Sequence, residues 1–107
     1  MPLASGAISE AEFTTQVVQL FQLRGWMVVH IRPAKTARGY RTPYEGDPGL
    51  PDIIASRLGR TILAELKVGK NKPTQEQREW LDASGGYLWY PADWEQIQRV
   101  AMKGNLE

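Results

Sequence analysis

The stretch from Leu50 to Lys67, LPDIIASRLGRTILAELK, constrains the fold more than any other part of this chain. It holds two short apolar runs, Ile53-Ile54-Ala55 and Ile62-Leu63-Ala64, joined through Arg57-Leu58-Gly59-Arg60. Bulky runs of this length around a glycine-containing connection predict two adjacent antiparallel strands. Strand side chains alternate between faces, so Glu65 and Lys67 share one face while Ile62, Ala64, Leu66 and Val68 take the other. Asp52 opens the first strand, where pairing would bring it beside Glu65.

An acid-x-lysine pair on a strand is ordinarily a solvated face, and Pro-Asp ordinarily opens a turn. Here the pair follows a strongly apolar run. Charge at the end of a strand that is apolar on both faces is costly unless it is paired or metal-bound. Two acids and a lysine at one end of a hairpin therefore predict a divalent-metal site with a cation beside it.

The chain has 107 residues, of which 42% are hydrophobic and 23% charged, fitting one domain over residues 1–107 with a single core. The absence of cysteine excludes disulfides and thiolate metal ligands. With no apolar leader and no run long enough to cross a bilayer, the expectation is a cytoplasmic protein without membrane contact. A net charge of +1 does not by itself select a partner.

Ser9-Glu10-Ala11-Glu12 has the capping-box form and starts a helix; Phe13, Val17, Leu20 and Phe21 make its apolar stripe, and Gly25 ends it. Glu12 falls on the polar side. Glu10 heads the apolar stripe, so it is either first-turn charge against the helix dipole or, if the helix packs on the hairpin, a third acid for the cluster.

Trp26 to Ile31 reads as a strand long enough to sit centrally in a sheet. The basic loop at 32–49 has no periodicity and brings Arg32, Lys35, Arg38 and Arg41 before its first acid, Glu45, with Tyr40 and Tyr44 interleaved. A solvated loop is the plain reading; nucleic-acid contact is favoured because the loop leads straight into the proposed metal site. Glu45 and Asp47 are read as shaping the turn.

After Lys67 comes a basic turn with Lys70 and Lys72, counted with the nucleic-acid contacts. Thr74-Gln75-Glu76-Gln77 repeats the capping-box form and opens a second helix, which Gly85-Gly86 stops. Tyr87 to Tyr90 is a short strand, and a last helix carries Trp94, Ile97, Val100 and Ala101. The expected order is α-β-β-β-α-β-α. The β-helix-β step from Glu65 to Trp89 is read as a right-handed parallel crossover, giving a mixed sheet. His30 is read as a satisfied strand-end histidine or one touching phosphate, since zinc would need partners the chain lacks.

Taken together, Glu10, Gly49-Leu50-Pro51-Asp52, Glu65-Leu66-Lys67 and Gln77 resemble the PD-(D/E)xK nuclease superfamily. Ser9-Glu10-Ala11-Glu12-Phe13, Arg24-Gly25-Trp26, Glu76-Gln77-Arg78-Glu79-Trp80-Leu81 and Trp89-Tyr90-Pro91 extend the likeness to the virus-type replication-repair nuclease (VRR-NUC) domains, in their small stand-alone phage and bacterial form. The resemblance runs from about Ile8 to Val100.

That resemblance implies an α/β restriction-endonuclease-like core, a mixed four-stranded sheet flanked by helices, in bacterial or phage-infected host cytosol. It implies a DNA endonuclease of replication, recombination or repair, some small relatives being homodimers that resolve four-way (Holliday) junctions. Asp52 and Glu65 would ligate Mg²⁺ or Mn²⁺ with the Leu66 carbonyl, and Glu10 would reach the metal directly or through water. Lys67 would hold the attacking water or stabilise the phosphate, and Gln77 would position either. Gln77 as a pure capping residue is nearly as good a reading. The rival expectations are a nucleic-acid-binding module that does not cut and a subunit of a larger machine.

Overall fold

The first helix shows how local chemistry sets the frame. In the computed structural model, which describes residues 8–31, 34–36, 39–41 and 45–103, helix α1 spans Glu10–Leu23. Ser9 Oγ accepts the Glu12 amide at 3.1 Å and Glu12 Oε1 accepts the Ser9 amide at 3.0 Å. The reciprocal pair satisfies two of the donors a helix start leaves open. Phe13, Val17 and Phe21 are buried on one face.

Strand β1 (Met27–His30) follows, then β2 (Ala34–Thr36), β3 (Gly39–Arg41), β4 (Ile53–Arg57) and β5 (Arg60–Leu66). Helix α2 (Gln75–Ser84), β6 (Tyr87–Trp89), a 3₁₀ turn (Pro91–Asp93) and α3 (Trp94–Lys103) complete the chain. The main sheet is four-stranded in the order β1-β4-β5-β6. β1 and β5 each pair antiparallel with β4, whereas β6 runs parallel to β5 after the α2 crossover. This is a mixed α/β sheet, as the sequence predicts. Among the described residues no helix is long and apolar enough to cross a membrane.

Two expectations need correction. The 26–31 strand is not central: β1 lies at the sheet edge, with Met27 and Val29 exposed. Trp26 leaves the strand for the core, where its Nε1 donates to Ala101 O at 2.9 Å and its ring meets Phe21 edge-on. The long connection is also not wholly patternless, because β2 and β3 pair antiparallel inside it, Ala34 opposite Arg41 and Thr36 opposite Gly39. Three-residue strands are too short to display an alternation.

The core is Phe13, Val17, Phe21 and Trp26 against Ile53, Ala55, Ile62, Ala64, Leu66 and Trp89, closed by Ile97, Val100 and Ala101. Arg57 ties its far end together, donating to Arg24 O at 2.8 Å and Met102 O at 3.0 Å, with its guanidinium over the Trp26 ring. Those carbonyls are the open acceptors of α1 and α3, which a cation suits.

A candidate metal centre

The β4–β5 register decides where the acids fall. Ile53 stands opposite Ala64, so one step further Asp52 stands opposite Glu65. Asp52 is held from three directions. Its Oδ2 accepts the Leu66 amide at 3.1 Å, its carbonyl accepts the Ile31 amide at 2.7 Å, and the preceding Pro51 is fully buried. Gly49 makes this approach possible: at φ +93°, a Cβ there would lie 2.6 Å from Glu76 C and 2.8 Å from the Gln77 amide nitrogen. Only glycine lets the arm carrying Asp52 run so close to the α2 backbone.

Glu65 is 1% exposed, and its Oε2 lies 3.4 Å from Lys67 Nζ. The Lys67 amide continues the sheet ladder to Trp89 O at 3.0 Å, fixing the base of that side chain. The other carboxylate oxygen, Glu65 Oε1, is buried and meets no donor. The Asp52 and Glu65 carboxyls, opposite each other in the strand register, feel each other's charge. Two carboxyls so placed share a proton or need a cation between them.

The electrostatics follow. Burial, reinforced by the neighbouring Asp52 charge and opposed by Lys67, pushes the Glu65 carboxyl up to about 7. Burial also raises Asp52, against the pull of the Leu66 amide, Lys67 and His30. Glu10, at the head of α1, is raised by burial and then by Asp52, and lowered by Lys67. The structure thus brings Glu10, Asp52, Glu65 and Lys67 to one end of the sheet. It adds His30, opposite Ile53 in the β1–β4 register, as a further cation-forming neighbour of Asp52. Its place became legible only with the register of β1, which the sequence does not specify.

The donors suit a hard divalent cation. Carboxylate oxygens are the ligands Mg²⁺ and Mn²⁺ select, and Glu65 Oε1 is a buried acceptor with no donor. Among the described residues no three Asp, Glu or His side chains are arranged to enclose an ion unaided. Asp52 and Glu65 are the adjacent pair, and Glu10 joins them in electrostatic range.

Gln77 serves its helix: its Oε1 accepts the Thr74 amide at 2.9 Å and its own amide donates to Thr74 Oγ1 at 3.1 Å. Lys70 and Lys72 are exposed on the turn that follows Lys67. Arg32 and Arg38 lie outside the described residues, and for Lys35 and Arg41 only the backbone in β2 and β3 is described. The Asp47 carbonyl accepts Trp80 Nε1 at 3.3 Å, tying its loop to α2.

A cleft of about 360 Å³ opens beside α2, lined by Asp47, Pro48, Glu76, Glu79, Trp80 and Ala83. Neither Asp52 nor Glu65 lines it, and its acidic rim opposes phosphate. No protein-family model matches this chain, and neither curated proteins nor solved structures give a significant match.

Proposed function

We propose that this chain is a divalent-metal-dependent DNA endonuclease with a restriction-endonuclease-like core, hydrolysing phosphodiester bonds. The observation that carries the reading is the Asp52–Glu65 pair, with the Lys67 ammonium 3.4 Å from Glu65 and a buried Glu65 oxygen lacking any donor. Carboxylates repel a nucleic-acid backbone unless a cation lies between them. A site built from a buried acid beside a half-buried one, with an ammonium at its side, is suited to phosphate only when a metal is present.

Asp52, Glu65 and the Leu66 carbonyl would hold Mg²⁺ or Mn²⁺, with Glu10 as an outer acid. When bound, such an ion supplies an acidified water and neutralises charge on the phosphate oxygens. The protein's own groups do the rest. Lys67, fixed at its base by the sheet, presents a point charge to the attacking water or to a phosphate oxygen. The water oxygen bonds to phosphorus as one phosphorus–ester oxygen bond breaks, leaving a hydroxyl and a phosphomonoester. Asp52 is preset by the Leu66 and Ile31 amides, so little reorganisation is needed. Gln77 Nε2 would orient Lys67 or the water. Arg32, Lys35, Arg38, Arg41, Lys70 and Lys72 would contact the DNA backbone.

Branched DNA is the proposed substrate, with a homodimer acting on a four-way junction, because one catalytic centre per chain cuts one strand. The test incubates the protein with a synthetic four-way junction and with linear duplex, with and without Mg²⁺. Metal-dependent cutting of the junction supports the proposal. Binding without cutting would replace it with a nucleic-acid-binding module, and neither with a subunit role.

A further inference from the structure

Four of the most exposed large apolar side chains gather at the end of the sheet remote from Asp52 and Glu65. Leu58 is 92% exposed, Met27 80%, Leu23 79% and Met102 53%. Strand pairing and the Arg57 side chain hold the segments that carry them at this one end of the molecule. Met27 stands opposite Ser56, Leu58 lies in the turn between the paired Arg57 and Arg60, and Arg57 bonds both Arg24 O and Met102 O.

Leu58 is the outlier. Its φ is +50°, at the first position of a two-residue turn completed by Gly59 at φ +80°. Asparagine, aspartate and glycine occupy that turn readily, whereas leucine is strained there. The side chain serves neither its own backbone conformation nor the core. An apolar group set against both local geometry and solvation, within a wider apolar patch, marks a surface that something covers.

The surrounding charge says what kind of partner fits. Residues 23–27, 56–61 and 101–103 contain Arg24, Arg57, Arg60 and Lys103 and no Asp or Glu. A second copy docking through the same surface would set these cations against their own images. Nucleic acid would meet the charge, but the exposed side chains are aliphatic and offer bases no aromatic face to stack on. A polypeptide with apolar residues interspersed among acids matches both the charge and the patch.

We propose that this end of the molecule docks an acidic amphipathic segment of a protein partner, with Leu58 as its central apolar contact. The surface is separate from the carboxylate site, so it stands or falls independently of the nuclease reading.

The test is a titration of the full isotope-labelled chain, followed by amide NMR, with a synthetic peptide mixing Glu and Asp with Leu and Phe. Shifts are expected in residues 23–27, 56–61 and 101–103, and salt should weaken them. Leu58→Asn, which suits the turn and so preserves the fold, should weaken binding about tenfold or more without changing DNA cutting. Met27→Gln should weaken it to a lesser degree, and a peptide with Lys in place of its acids should not bind. The proposal is overturned if the shifts are absent or lie elsewhere, or if Leu58→Asn binds as tightly as the parent. It is equally overturned if this surface instead mediates self-association or is the place where duplex DNA binds.

Discussion

Asp52 Oδ2 accepts the backbone amide of Leu66, the residue that separates Glu65 from Lys67. One hydrogen bond thus ties the first acid to the strand segment carrying the second acid and the ammonium. The hairpin does not merely bring these groups close. It locks their separation to the geometry of a strand pair, which is stiffer than a loop.

Stability should fall with rising pH when no metal is present. Burial and the Asp52 charge hold Glu65 up from 4.5 to about 7, and Asp52 and Glu10 shift the same way. A carboxyl raised in the folded state binds its proton more tightly there. Its contribution is therefore full below the unfolded value of 4.5 and is lost as pH rises through about 7. Urea midpoints measured in chelator should decline across that window, and Mg²⁺ should restore more stability above it than below. A midpoint that rises from acid to neutral pH would count against this picture.

Glu65→Gln separates stability from activity. It removes a buried charge while keeping the shape, so the metal-free protein should gain on the order of 2 kcal/mol near neutral pH, several degrees in Tm. The same change should abolish cutting and any stabilisation by Mg²⁺. A Glu65→Gln protein that is less stable in chelator would mean that the charge is well satisfied by Lys67 alone.

Gly49→Ala should be costly. The added Cβ would fall 2.6 Å from backbone of α2, at a φ of +93°. Strain and displacement together predict a loss of roughly 2 kcal/mol or more, with cutting reduced because Asp52 is carried on the displaced arm. Thermal unfolding together with Mg²⁺-dependent cutting measures both. An unchanged Tm would show that the arm can yield freely.

Gln77→Glu divides the two roles of that residue. Glutamate can still accept the Thr74 amide, so Tm should stay within a degree or two. The Nε2 donor is lost, and cutting should fall about tenfold. Full activity in this variant would assign Gln77 to the helix start alone.

The site was more legible than the sheet. Asp52 beside Glu65 follows from counting alternation through Ile53–Ala55 and Ile62–Ala64, and Ser9–Glu12 announces the helix whose head is Glu10. What could not be read was long-range placement. Trp26 looks like a strand residue but is claimed by Ala101, 75 positions away, and β1, pairing only with β4, takes the sheet edge. β2 and β3 are too brief and too polar to show a period. His30 enters the site only through pairing with Ile53, and no local pattern fixes that register. Leu58 reads as an ordinary loop residue until its positive φ and exposure are known.

The most direct test of the proposed metal-dependent nuclease activity is cleavage of a labelled four-way junction in Mg²⁺ by the parent chain, Asp52→Asn and Lys67→Met. The account predicts cutting by the parent that chelator stops, and a loss of at least about a hundredfold in either variant, each still folded. Parent-level cutting by Asp52→Asn in Mg²⁺, or cutting by the parent that chelator leaves untouched, would contradict it.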